Sequence, residues 1–353
     1  MFAWLCTTGS ATLALQWVRM CHCKKPIHST SSASAAARSF SSMPRSCCSV
    51  TVSLSKPSGS CVWPRASNWL TTSPPGKTLP GQLKAANLSW KGYMEDLGKS
   101  PALARATCGN PTLNARDRTQ SSRRPSAELP DGDMYAARHN PFVFFHSIVD
   151  SADCDTNVVN LNRLENDLKA VETTANFTWI TPGMCHGGHD TPCVNGEPGG
   201  LESADMFLQK WVPMVMASPA FKRNGLLIIT FDQGAPTDSY SPDGKTRTYV
   251  FAGDSCCNQL PTPNVKFPIT QPFPKELTRL PYDIETVIER QGGGRIGAVM
   301  LSPFIKPGTV SDKPYNHYAL LRTLQDLFGL KNYLGYAGQE GLKPIGDDVF
   351  NNR

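Results

Sequence analysis

Two short stretches of this 353-residue chain place side chains capable of acid–base or metal chemistry where a fold could use them. One is Asp232 with Gln233, directly after the apolar run Gly225-Leu226-Leu227-Ile228-Ile229-Thr230-Phe231. Such a run has the composition of a strand buried on both faces. In an α/β sheet, ligands bind beyond the carboxyl ends of parallel strands, so a carboxylate at that point is placed for chemistry. A solvent-facing turn aspartate before Gly234 is the alternative. The other stretch is His189-Asp190, inside a loop rich in Gly and Pro between Pro182 and Gly200. A carboxylate beside a histidine sets the orientation of the imidazole, although the pair also suits a structural turn. His146, after the apolar Phe142 to Phe145, reads as a hydrogen-bonded packing residue, and His186 as a loop residue. His317 opens a helix, where the dipole disfavours an imidazolium and local hydrogen bonding competes with a role in a site.

The elements that must position these residues follow from hydrophobic spacing. Leu79 to Asn87 reads as a short helix feeding a strand over Ser89 to Met94. Leu161, Leu164, Leu168 and Val171 recur at helical spacing, with Asn162 and Glu165 as a capping pair. Phe177 to Thr181 reads as a strand, and Ala204, Phe207, Leu208, Trp211 and Val215 as the apolar face of a helix. Arg295 to Leu301 reads as a second buried strand. The preceding Gly292-Gly293-Gly294 opens no helix, so it is a hinge or turn and not a phosphate cradle. Asn316 to Gly329 reads as a helix stopped by its glycine. Alternation of strands and helices implies an α/β class with a mainly parallel sheet flanked by helices.

Charge divides the chain. Residues 1–94 hold ten Lys or Arg and no acid, leaving 25 basic and 29 acidic residues in 95–353, a net of −4 beneath an overall +6. A mildly acidic body excludes a basic nucleic-acid-binding domain, and no apolar run reaches membrane-spanning length. The acid-free segment, rich in Ser, Arg and Cys, reads as a low-order region over 1–75 ahead of an α/β domain over 76–353. A targeting peptide, a basic tail and translation outside the ancestral frame all fit its composition. It shows no core-forming period through about residue 67 and is expected to pack poorly. Met1 to Met20 has an apolar middle but no positive start, which makes a weak secretory signal.

Of the twelve cysteines, Cys108, Cys154, Cys185, Cys193, Cys256 and Cys257 lie in the body near loop signals and without CxxC spacing, which suits disulfides in an oxidising compartment. Proximity favours Cys185 with Cys193. Adjacent cysteines such as Cys256 and Cys257 are expected to bond elsewhere. The sequons at Asn87 and Asn176 are compatible with secretion.

Several blocks, in order, resemble the phosphoesterase family of acid phosphatases and phospholipase C-like enzymes, within the alkaline phosphatase superfamily. They are Ser89-Trp90-Lys91-Gly92-Tyr93-Met94-Glu95-Asp96, Arg138-His139-Asn140-Pro141-Phe142, Thr178-Trp179-Ile180-Thr181-Pro182, His189-Asp190, Ile228 to Asp232, Arg295 to Val299, Ser302-Pro303-Phe304-Ile305, and Tyr315-Asn316-His317-Tyr318 running into Leu330. The resemblance spans roughly residues 76–353. It implies an alkaline phosphatase-like core, incomplete at the amino terminus, and metal-assisted hydrolysis of a phosphate ester by a secreted enzyme. It also implies a divalent metal ion on Asp232 and Gln233, catalytic His139, His189 and Asp190, and phosphate contacts from His139, Asn140 and His189. Two features depart from the family. Gln stands at 233 where the family has a second acid, which removes one negative charge from a hard-cation site. No Glu-Asn metal pair and no Ser or Thr nucleophile block is recognisable before Leu79. A catalytically inactive, phosphate-binding remnant is the alternative that these departures raise.

Overall fold

A computed structural model of the chain describes the backbone of residues 13–19, and residues 78–352 other than 113, 114, 116, 263, 264, 274 and 276–280. The rest of residues 1–77 lies outside the described residues. Strands β1 (Leu13–Arg19), β2 (Trp90–Met94), β3 (Val158–Asn160), β4 (Phe177–Thr181), β5 (Gly225–Phe231) and β10 (Ala298–Leu301) form one sheet in the order β10-β5-β1-β4-β2-β3. β2 runs parallel to β3 and β4, and β1 runs antiparallel to both β4 and β5. Hence β2, β3, β4 and β5 all point the same way, while β1 and β10 oppose them.

The expected α/β class is present, but the sheet is mixed. Apolar spacing reports which residues are buried and carries no information on strand direction. Two further expectations need correction. Seven residues of the acid-free segment, expected to form no core element, pair along β1 in the centre of the sheet. The second buried strand is shorter than expected and lies at the sheet edge, half exposed, with Val299 54% accessible.

β5 shows why an uninterrupted apolar run was needed. Its residues alternate between two cores, Leu226 and Ile228 on one face and Leu227 on the other. The first core takes Leu79 and Leu83 from α1 (Leu79–Ala85) and Leu320, Leu321 and Leu324 from the carboxyl-terminal helix His317–Leu327. The second takes Phe207, Trp211 and Val215 from α5 (Gly200–Ala217) and Phe221 from α6 (Pro219–Asn224). Between the first helix and α5 lie three one- to two-turn helices, α2 (His146–Val149), α3 (Ala152–Asn157) and α4 (Leu164–Asp167). The helical spacing over 161–171 resolves into a 3-10 turn followed by α4. Its cap is Asn160, whose side chain accepts from Asn162 N at 2.9 Å, and not the expected Asn162. His146 sits 2.9 Å from Asp150, the cap of α2, with its side chain 41% exposed, so the expected hydrogen bond is present but the expected packing is not.

Close packing leaves no room for a side chain at Gly92 in β2. A Cβ there would lie 2.3 Å from the Phe142 ring, itself stacked on Trp90 at 5.1 Å and edge-on to Trp179 at 6.2 Å. Gly92→Ala is expected to lower stability in urea unfolding by about 1–3 kcal/mol, the usual cost of overpacking a filled core. An unchanged unfolding midpoint contradicts this packing.

A second sheet, in the order β6-β7-β9-β8, is built from β6 (Thr237–Tyr240), β7 (Thr246–Phe251), β8 (Ile269–Phe273) and β9 (Asp283–Ile288). It is inserted between β5 and β10. Its two connections meet at a neck of glycines, where Gly234 N donates to Gly293 O at 2.7 Å. A Cβ on Gly253 would fall 2.2 Å from Gly294 N, so only glycine permits that approach.

Candidate active site

The loops that follow β2, β4 and β5 leave the sheet on one side, since those strands are parallel. Backbone and carboxylate contacts stitch the first two together. Glu95, the residue after β2, accepts from Gly183 N at 2.7 Å and lies 2.9 Å from His186 Nδ1. Its neighbour Asp96 accepts from Met134 N at 2.9 Å, and Met184 N in turn donates to Met134 O at 2.8 Å. The segment that leads into His139 is thereby laid along the loop that leads into His189.

His139 closes the 3-10 turn Ala137–His139, and Asn140 caps the next turn, accepting from Phe142 N at 3.1 Å. Asn140 is fully buried, and its amide donates to Cys108 O at 2.8 Å and Tyr135 Oη at 3.0 Å. All three contacts are internal, so Asn140 as placed holds the turn that presents His139. Arg138 donates to Gln120 O at 3.1 Å and reaches Met184 Sδ at 3.4 Å. Burial lowers the Arg138 pKa from its ordinary value, and the charges of Asp190 and Asp117 oppose that shift. Its Nε is buried with no hydrogen-bond partner among the described residues.

His189 is exposed, with Nδ1 held 2.7 Å from Asp190 Oδ1. Asp190 O accepts from Gly200 N at 2.8 Å, which ties this loop to the start of α5. Asp232 is half-buried just beyond β5, and Gln233 beside it is buried. A Cβ on Gly188 would lie 3.1 Å from the Phe231 ring. So the neighbour of His139 lies in the field of Asp190, and the residue before His189 packs on the residue before Asp232. His317 is the first residue of the last helix, α7 (His317–Leu327), behind the Asn316 cap.

The sequence reading missed the most heavily engaged side chain in this region. His186, read as a loop residue, lies between Glu95 and Glu197, with Nε2 2.8 Å from Glu197 Oε2 and the ring tilted against Phe207. Burial lowers its pKa, but the hydrogen bond and charge of Glu95, then those of Glu197, outweigh that and push it up to about 9. At neutral pH it is an imidazolium that donates from both nitrogens. One signal was available: Glu95 directly follows the largely buried β2, as Asp232 follows β5.

Cys185 pairs with Cys193, as proximity favoured, and Cys108 pairs with Cys154. Cys256 and Cys257 pair with each other, against expectation. Cys185 Sγ, His186 and Glu197 place ligand-type atoms within 4.8 Å of one another.

The phosphoesterase family profile matches residues 49–331, and the chain belongs to the phosphoesterase family. Among curated proteins it is similar to a phosphate-repressible acid phosphatase of Penicillium chrysogenum, 26% identical over 176 residues, which are 50% of this chain and 35% of that protein. It is also similar to a probable acid phosphatase of Kluyveromyces lactis, 24% identical over 119 residues, covering 34% of this chain and 25% of the relative. An acid phosphatase of Aspergillus fumigatus shows the same identity over 119 residues, 24% of its length. The matched region thus spans a quarter to a third of these relatives. No helix among the described residues is long and apolar enough to cross a membrane.

Proposed function

We propose that this chain hydrolyses phosphate esters in the manner of an acid phosphatase, on an alkaline phosphatase-like core and in an extracellular, oxidising setting. One observation carries the reading. The loops after β2 and β4 are joined through Glu95, Asp96 and Met134, and Gly188 packs on Phe231 at the end of β5; these are the loops whose sequences carry His139, His189-Asp190 and Asp232. Family membership and the similarity to fungal acid phosphatases agree with it.

Asp232 and Gln233 would hold the divalent ion. One carboxylate and one amide oxygen are hard donors that suit such a cation, but they fill only part of its shell, leaving room for water and substrate oxygens. When bound, the ion offsets charge on the phosphoryl oxygens. His189, oriented by Asp190, takes a proton from the attacking group, and His139 gives one to the leaving alkoxide. Arg138, whose Nε is buried, adds positive charge beneath the phosphoryl group.

The test is hydrolysis of a chromogenic phosphate monoester by the full chain with added divalent metal. Sustained turnover that a chelator abolishes is expected. Saturable phosphate binding with no turnover at any metal concentration overturns the catalytic reading. With a chiral phosphate ester, direct attack by water inverts configuration at phosphorus, whereas a phosphoenzyme route retains it.

A further inference from the structure

We propose that Cys185, His186, Glu197 and Cys193 form a zinc site that is closed by the Cys185–Cys193 disulfide and opened by its reduction. The site uses none of the residues assigned to the phosphoryl centre and goes beyond the hydrolytic reading.

The donor set is sulfur, nitrogen and oxygen, the mixture that selects zinc over a hard cation. Tetrahedral zinc, with bonds of about 2.0–2.3 Å, needs ligand atoms about 3.3–3.7 Å apart. Here Cys185 Sγ lies 3.4 Å from Glu197 Oε2, and His186 Nε2 lies 2.8 Å from the same oxygen. An opening of about half an ångström brings the shorter edge to the spacing that zinc requires, and the third edge, Cys185 to His186, lies within 4.8 Å. Cys193 Sγ is bonded to Cys185 Sγ, so cleavage leaves a second thiol beside the first.

The surrounding structure is already that of a metal site. His186 Nδ1 faces Glu95 Oε2 at 2.9 Å, while Nε2 points at the cluster. Metal-ligating histidines characteristically donate their second ring N–H to a carboxylate, which fixes the tautomer and the ring orientation. Glu197 is braced too. Asn195 Nδ2 donates to Oε1 at 2.7 Å, leaving Oε2 for the cluster, and Cys193 N donates to Glu197 O at 3.0 Å. Both cysteines are buried, which favours a water-poor site once an ion replaces the disulfide.

The chemistry balances with an external dithiol. The dithiol passes two electrons and two protons to the Cys185–Cys193 bond, which breaks to give two thiols, and the dithiol becomes a disulfide. Zinc then displaces the thiol protons and the His186 Nε2 proton to solvent, and His186 keeps its Nδ1 proton, donated to Glu95.

The probe is Zn2+ alone, titrated against a chromophoric chelator with the full-length protein. Cys193→Ser removes the disulfide without any reductant and leaves Cys185, His186 and Glu197 in place. In non-reducing buffer this variant is expected to bind one more zinc per chain than the oxidised wild type. Adding His186→Ala to it should abolish that equivalent, and adding Glu95→Gln should weaken it about 10- to 100-fold, as expected for the partner of a ligating histidine. Cobalt in place of zinc should give the intense visible bands of tetrahedral thiolate coordination. Equal zinc uptake by oxidised wild type and Cys193→Ser overturns the proposal, as does an extra equivalent that His186→Ala leaves intact. If Cys193→Ser does not fold, wild type and Glu197→Gln are compared after mild reduction. All twelve cysteines remain in both, so a difference of one equivalent supports the site and identical uptake refutes it.

Discussion

Asp232→Asn is expected to lower kcat/KM for a chromogenic phosphate ester by about 1000-fold, within the several kcal/mol that a bound cation contributes to a transition state. The substitution keeps the shape of the side chain and one oxygen but removes its charge. With Gln233 alongside already neutral, no carboxylate then remains among these two positions at the end of β5. The metal concentration needed for half-maximal rate should therefore rise, and the rate at saturating metal should recover only in part. His189→Ala gives a different signature, a fall in kcat of about 100- to 10,000-fold, as for loss of a general base, with unchanged metal dependence. Measuring rate against metal concentration for both variants separates the roles. Equal metal dependence in Asp232→Asn and wild type removes Asp232 from the metal site.

The second large effect is on stability and its pH dependence. In oxidised, chelator-treated protein, His186→Gln is expected to cost about 3 kcal/mol near pH 6, because two part-buried carboxylates lose the cation between them. The folded pKa of about 9 lies above the ordinary value of 6.5, so the folded state binds the proton more tightly. Its stabilisation is complete below pH 6.5, declines as the pH rises through 9, and is gone above that. Unfolding free energies of wild type and His186→Gln should therefore converge between pH 6.5 and about 10. A difference that stays constant across this range contradicts the charge clamp.

The parts of the fold that the sequence disclosed are those written in hydrophobic period. β2, β4, β5, α5 and α7 lie where apolar spacing put them, since each must bury a defined face in one of the two cores. The strands of the smaller sheet escaped notice. β6 is wholly exposed and β7 half-buried throughout, so neither shows the in–out alternation that marks a strand. β1 was invisible for another reason: its neighbours in sequence are Ser-rich and acid-free, and its pairing with β4 and β5 is long-range. Order along the chain singled out His139, His189 and Asp232 as candidates. It could not disclose that Glu95 and Glu197, separated from His186 by 91 and 11 residues, close on the same ring. Asn140 shows the converse, a residue picked out by its motif whose amide holds a turn from within.

The most direct test of the hydrolytic account is the amount of inorganic phosphate released per chain by the purified full-length protein, given excess chromogenic monoester and divalent metal. The account predicts many phosphates per chain at a steady rate, suppressed by chelator and by Asp232→Asn. Release that stops at or below one phosphate per chain, or continues unchanged in Asp232→Asn, contradicts it.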